Sequence, residues 1–419
     1  MTSAAQRTEH VTCLGCGCAC DDITVVVQDE AIAEAVNACS LGRSWFGDGK
    51  VPAEVRSDGR AVPLEQAIAD AATRLGAARR PLVYLAPDIT SESQRIVVGI
   101  ADRLGAALDS PTSQIADGIL AVQRRGRAGA TLGEIRQRAD VIVFWGIDPA
   151  VRYPRYTSRY TALPAGVQAP DGRGSRMLIA VDVGACRGID GADERVAIPP
   201  EAEVDALGAM RAAVLGRTTG EPALDRVEQL ARRMAQARYS AIVHDAEPGN
   251  GAPEWGRSEA LIALAQALNG PSRCALSSLR AGGNRSGADL VLTWQAGFPM
   301  AVDFASGYPC YRPRDGAAAR LGRREIDVAL VVGSAARLPA AVAHGLATVP
   351  TVVIGPGATA AEFKPAVAID TGVAGIHESG TAFRMDDVPL PLRAALHGVA
   401  PTLSVLQVVR ALHGRLEQR

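Results

Sequence analysis

Lysine is almost missing from this chain. Lys50 and Lys364 are the only lysines among 44 basic residues, against 45 acidic ones, for a formal net charge of −1 over 419 residues. That balance excludes the electrostatic footprint of a nucleic-acid binder or an anionic-membrane binder. The arginine bias reads as a GC-rich genome rather than as a phosphate-binding role. Long apolar runs are also lacking, so no segment reaches the length of a membrane span. Met1 to His10 has no apolar core of the kind a signal peptide needs. These absences point to a cytoplasmic protein with reduced thiols, in which clustered cysteines mean metal rather than disulfides. No G-x-G-x-x-G or Walker A pattern stands at a strand-to-helix junction, so no nucleotide fingerprint is present. No Cys or His occurs between Cys39 and Cys186.

What remains is an ordinary globular composition, 47% hydrophobic and 21% charged. The length calls for about two to four domains. The most informative residues are Cys13, Cys16, Cys20 and Cys39, spaced C-x2-C-x3-C-x18-C. Three thiolates from one loop and a fourth from a later one suit an iron–sulfur cube, in which each iron takes one thiolate. Zinc held by four thiolates usually shows two C-x2-C pairs, and the second pair is missing. A metal-free remnant is the third reading. Cys18 lies between presumed ligands, so any of the close cysteines could be the spare. Cys274, in an apolar stretch, reads as a buried small hydrophobe.

After residue 55 the chain alternates helical and strand patterns. Leu64, Ala67, Ile68, Ala71 and Leu75 fall at helical spacing, predicting a helix over 64–78. The run 81–87 (PLVYLAP) predicts a buried strand, and 91–108 an amphipathic helix with an N-cap. The runs 140–147 (DVIVFWGI) and 176–183 (RMLIAVDV) predict further strands. Alternation of this kind implies βαβ units and a mainly parallel sheet. A weak repeat accompanies it. Helix–strand–helix over 64–108 is matched by the same pattern over 224–268. The strand at 139 is matched by the one at 326, and 176–183 by 350–357. The fold class expected is therefore α/β. A cysteine-rich, cluster-type domain over 1–55 precedes a Rossmann-like domain over 56–185. A second α/β region spans 186–419 and contains 222–270 and 323–372 as pseudo-repeats of the first. The segment 280–312, rich in Gly, Pro and aromatics, has little periodicity and reads as a functional loop or an interface.

Four stretches resemble the B-type subunit of formylmethanofuran dehydrogenase, a branch of the molybdenum/tungsten bis-pterin oxidoreductase superfamily. They are CLGCGCACDDI with ACSLGRSWF, WGIDPAVRYPRYTSRY from Trp145, GGNRSGADLVLTWQAGFPMAVDFASGYPCY from Gly282, and AGIHESGTAFRMDDVPLPL from Ala374. They stand in the family's order and span nearly the whole chain. The resemblance implies a 4Fe-4S cluster on Cys13, Cys16, Cys20 and Cys39, and two Rossmann-like domains around a cofactor cleft. In active members a Cys or selenocysteine ligates the metal beside a His, upstream of a Gln and a Thr-Leu-Gly-Glu. Here Gln123 and Thr131-Leu132-Gly133-Glu134 fit the downstream part, and the Cys and His positions fall on Gln114 and Ile115. An amide is a much poorer metal ligand than a thiolate, and an Ile cannot move a proton as His can. Ser113 or Asp117 is a conceivable substitute ligand.

That departure fits a known variant of the family, the formyltransferase/hydrolase complex of methylotrophic bacteria. The resemblance then implies a non-redox B-type subunit without its own catalytic residues, in a complex that converts formyl-tetrahydromethanopterin to formate through a methanofuran-like carrier. Its expected partners are a formyltransferase subunit, an amidohydrolase-like subunit and a C-like subunit. The tungsto- or molybdopterin guanine dinucleotide is expected to be absent. An active tungsten or molybdenum dehydrogenase subunit is the alternative. Arg155, Ser158 and Arg159 are candidates for the ancestral cofactor phosphates, or else brace their turn. Asn284 and Arg285 either line the cleft or hold an interface. Asp303 is a candidate carboxylate for guanine. His244 and His377 read as satisfied structural histidines.

Overall fold

The computed structural model describes residues 5–246, 254–396 and 402–418. The chain forms two compact units, the first from Met1–Gln114 with Ala281–Arg419, the second from Ile115–Arg280.

The first unit opens with an antiparallel sheet of β1 (Gln6–Val11), β2 (Ile23–Gln28) and β3 (Ala31–Val36), followed by helix α1 (Ser40–Phe46). Next come the hairpin β4 (Val55–Ser57) and β5 (Arg60–Ala61), helix α2 (Leu64–Gly76), strand β6 (Pro81–Leu85), helix α3 (Ser91–Leu104) and strand β7 (Ala107–Asp109). The helix expected to reach residue 108 stops earlier. Gly105 takes a left-handed conformation at φ +59 and caps α3, which frees Ala107–Asp109 to join the sheet.

The second unit runs through α4 (Ala116–Arg125), α5 (Leu132–Arg138), β8 (Val141–Trp145), the short helices α6 (Pro149–Arg152) and α7 (Tyr156–Arg159), β9 (Met177–Val183) and β10 (Glu194–Ile198). It continues with α8 (Glu203–Val214), α9 (Asp225–Gln236), β11 (Ser240–Asp245), α10 (Glu254–Leu268) and β12 (Cys274–Leu279). Its five strands are all parallel, in the order β10-β9-β8-β11-β12.

The chain then returns to the first unit with α11 (Arg285–Ala296), β13 (Val302–Asp303), β14 (Cys310–Tyr311), α12 (Ala317–Gly322), β15 (Val328–Val332), α13 (Ala340–Leu346), β16 (Thr351–Gly355) and β17 (Val367–Asp370). The hairpin β18 (Gly380–Phe383) and β19 (Pro389–Leu392) and helix α14 (Val405–Glu417) complete it. The segment 280–312, expected to be irregular, contains the full helix α11. Gly282, Gly283 and Gly287 mask its signal, yet Ala288, Val291, Leu292 and Ala296 are buried at helical spacing.

The nine-stranded sheet of the first unit has a parallel heart, β7-β6-β15-β16-β17. Alternate side chains of these strands feed two cores. Val83, Leu85, Leu330, Val332 and Ile354 pack under α2, α3, α11 and α14, while Leu82, Tyr84, Val331 and Val353 pack under α12 and α13. The second unit's β12-β11-β8-β9-β10 repeats the order of that heart, and the strands that correspond are those matched in the sequence repeat.

This grouping differs from the boundaries 1–55, 56–185 and 186–419. β6 and β7 find their sheet partners in β15–β17, far along the chain, so 56–185 is not one body. The first 55 residues belong to the first unit too: Leu14, Ala19 and Trp45 share a small core with Ala374, Ala382, Leu390 and Leu392.

Candidate functional site

The β1–β2 connection folds back on itself. The Cys13 N–H donates to the Cys20 carbonyl at 2.9 Å, and the Ala19 N–H to the Cys16 carbonyl at 3.2 Å, with Ala19 at φ +39. Cys39 caps the N-terminus of α1. These two pieces bring Cys13, Cys16, Cys20 and Cys39 together, with the fully buried Cys18 among them. A Cβ on Gly42 would lie 3.2 Å from the Ala38 Cβ and 3.3 Å from the Cys13 sulfur, so a side chain there would crowd the thiols. The Gly15 N–H donates to the Cys13 sulfur at 3.4 Å.

Burial pushes the Cys13 thiol well up, and the neighbouring thiols add to the rise. Cys16 goes the other way, because the Cys18 thiol donates to it and the Arg337 charge favours its thiolate. Cys18, fully buried, is pushed up as well, by its hydrogen bond with Cys16 and by burial. Among the described residues no group of three or more His, Cys, Asp or Glu side chains is placed to hold a metal ion. The Gly15 N–H···S contact is of the kind that thiolates holding a cluster accept.

The segment expected to carry the lost metal ligand follows β7 as a single turn of 3-10 helix, Pro111–Ile115. Its hydroxyls are committed. Ser113 donates to the buried carboxylate of Asp109, and Thr112 donates to Asp289 on α11. Asp109 also accepts the Ala317 N–H at 2.6 Å and the Ala301 N–H at 3.2 Å. Burial raises its pKa against these donors. A Cβ on Gly316 would come within 2.9 Å of both Asp109 Oδ2 and Ser113 Oγ, so the corner is tightly closed. Gln114 is exposed and Ile115 is buried. Asp117 lies in the first turn of α4.

Of the other residues singled out in the first unit, Asn284 is buried at φ +60. Its amide donates to the Ile89 carbonyl at 3.0 Å and the Ser91 hydroxyl at 3.2 Å, and accepts the Phe383 N–H at 2.8 Å. It braces the start of α11. Arg285 follows it and sits near Tyr84. Asp303 pairs with Arg320 at 2.6 Å and accepts the Ala305 N–H at 2.9 Å, so both carboxylate oxygens are engaged. His377 accepts the Val373 N–H on Nδ1 at 3.1 Å and lies 2.7 Å from the Gly49 carbonyl through Nε2, a set that fits the neutral Nε2–H tautomer.

The crevice where a parallel sheet of this order binds ligands lies beyond β8 and β11, at the point where the strand order reverses. In the second unit that point holds a buried polar network missed by sequence reasoning. The Trp145 indole donates to Glu203 Oε1 at 2.6 Å, and Arg257 pairs with the same oxygen at 2.9 Å. Among the described residues, buried Glu203 Oε2 and His244 Nδ1 have no hydrogen-bond partner. His244 Nε2 meets the Ser278 hydroxyl at 2.8 Å, and burial with the Arg257 charge pushes its pKa down to about 3. Arg152 pairs with the buried Asp245. Arg155 precedes α7, the Ser158 hydroxyl donates to the Arg155 carbonyl at 3.4 Å, and the Arg159 guanidinium stacks 5.0 Å over Tyr160. Cys274 is buried at the start of β12, where burial pushes its thiol up to about 12.

Comparison with known proteins gives three results. The chain matches no protein-family model. It is 31% identical over 423 residues to the B-type subunit of the tungsten-containing formylmethanofuran dehydrogenase 2 of Methanocaldococcus jannaschii, covering 96% of this chain and 97% of that one. The protein of the same name from Methanococcus maripaludis is 29% identical over 435 residues, 98% of this chain and 99% of that one. Among solved structures, a chain of the formyltransferase/hydrolase complex from Methylorubrum extorquens, determined with methylofuran, superposes with a TM-score of 0.72 at 25% identity. That match covers 87% of this chain and 99% of the other.

Proposed function

We propose a structural, non-redox role for this chain, which belongs to the B-type family of formylmethanofuran dehydrogenase subunits. It serves as the B-type component of a formyltransferase/hydrolase complex that passes a formyl group from formyl-tetrahydromethanopterin to a methanofuran-like carrier and releases it as formate. Its partners there are a formyltransferase subunit, an amidohydrolase-like subunit and a C-like subunit. The likeness to a chain of the Methylorubrum complex supports this setting. Among the described residues no helix is long and apolar enough to cross a membrane.

The observation that carries the reading is the Thr112–Gln114 turn. A tungsten or molybdenum centre of this family needs a thiolate or selenolate from the protein, and here that position is an exposed amide beside a buried Ile. The neighbouring hydroxyls of Thr112 and Ser113 are already spent on buried carboxylates. The residues present therefore do not fit the metal of a pterin guanine dinucleotide. A 4Fe-4S cluster fits the cysteine nest, where Cys13, Cys16, Cys20 and Cys39 would hold it. Such a cluster supplies one-electron transfer when bound. Cys13, Cys16 and Cys20 of the β1–β2 connection and Cys39 before α1 would share in holding it.

The alternative is a working dehydrogenase subunit. It is favoured by the higher identity to the two tungsten-containing relatives than to the hydrolase-complex chain. It requires Ser113 to leave Asp109, or Asp117 to act as ligand. The purified complex separates the two readings. With formylated carrier it is expected to release formate without reducing a viologen dye, and dye reduction accompanied by carbon dioxide formation would refute the non-redox role.

A further inference from the structure

We propose that Arg337, held by Asp88, is the fixed counter-cation of the cysteine nest, and that it governs how firmly the nest retains its cluster and at what potential that cluster is reduced. The inference rests on the cluster reading above. Its basis is a contact between two glycines, the nest and the strand exits of the first unit. A Cβ on Gly282 would fall 2.8 Å from the Cys16 Cα and 2.2 Å from the Leu14 carbonyl oxygen. Gly283, at φ +79, donates its N–H to that same Leu14 carbonyl at 2.9 Å. A Cβ on Gly283 would lie 3.3 Å from Arg337 Nη1. Two consecutive glycines thus stand in contact with the Cys16 backbone and with the Arg337 guanidinium.

Asp88 fixes the arginine. It is buried at φ +73, and its Oδ1 accepts Arg337 Nη1 at 2.7 Å and the Trp45 indole N–H at 3.4 Å. Trp45 belongs to α1, the helix that Cys39 caps. One carboxylate oxygen therefore ties the cation to the element carrying the fourth ligand. The Arg337 side chain is 29% exposed, so its charge is only partly screened. Four thiolates around a cube leave excess negative charge, and net charge near the cluster is a main determinant of its potential.

The test uses the complex purified without air, carrying Arg337→Gln or Arg337→Lys. Two quantities are read: the rate at which a chelator strips iron, and the midpoint potential from an EPR-monitored titration. Arg337→Gln is expected to lose iron about tenfold faster, the usual cost of removing an outer-shell partner, and to be harder to reduce. Arg337→Lys is expected to keep the wild-type potential. Wild-type behaviour in Arg337→Gln, or equal impairment in both variants, overturns the inference while leaving the cluster reading intact. If Arg337→Gln does not accumulate, Asp88→Asn decides. It loosens the tie that fixes the cation, so iron is expected to be stripped faster, and wild-type iron retention there overturns the inference. A wild-type complex without iron refutes the cluster reading and this inference with it.

Discussion

Replacing Asp109 by Ala opens the corner that holds the Thr112–Gln114 turn, and the cost follows from what the carboxylate now accepts. The Ala301 and Ala317 N–H groups and the Ser113 hydroxyl all donate to it. Alanine leaves two buried backbone donors without a partner, at about 1–3 kcal/mol each, so about 2–6 kcal/mol is lost. The hydroxyl rotates to another acceptor and adds little. Arg74→Ala, which breaks the exposed pair with Asp58, is the control and costs about 1 kcal/mol or less. Urea unfolding of the purified chain, followed by tryptophan fluorescence, measures both. The pH dependence is a second check. Because burial raises the Asp109 pKa above its ordinary 3.8, the folded state binds the proton more tightly than the unfolded state. The resulting stability is full below about 3.8 and is lost as pH rises through the folded value. Asp109→Asn removes that dependence. An Asp109→Ala variant within about 1 kcal/mol of wild type would refute the reasoning.

Two further perturbations address the second unit. His244 is held neutral, its pKa depressed from 6.5 to about 3. Its contribution is therefore complete above pH 6.5 and lost as pH falls toward 3, with a slope of up to about 1.4 kcal/mol per pH unit. An unfolding series over that range is expected to flatten in His244→Gln, and an unchanged slope would contradict the assignment. Arg257→Met strands the buried Glu203 carboxylate and is expected to cost about 3–5 kcal/mol, most of it recovered when Glu203→Gln is added. Additive losses in the double variant would count against a coupled pair.

Strands with continuous apolar runs were legible in the sequence. β6, β8 and β9 lie within the predicted runs because burial on both faces removes any polar alternation. The repeat was legible for the same reason, since each half keeps its own buried strands. Helix limits were less so: nothing periodic marks the end of α3, and only the conformation of Gly105 stops it. Helix α11 was hidden by its glycines. The gathering of Cys13, Cys16 and Cys20 could be read because they are near neighbours in the chain. The Arg337–Asp88–Trp45 contact and the Trp145–Glu203–Arg257 network could not, because each joins residues dozens to hundreds of positions apart. The domain boundaries failed for this reason too, as no local pattern announces that β6 pairs with β15.

The Thr112–Gln114 turn is tested most directly by metal and cofactor analysis of the complex purified without air. Tungsten, molybdenum and iron are measured by mass spectrometry, and pterin by extraction. The account predicts about four iron per chain with neither tungsten, molybdenum nor pterin. Stoichiometric tungsten or molybdenum with bound pterin would contradict it, and would make Ser113, Gln114 and Asp117 the residues to mutate.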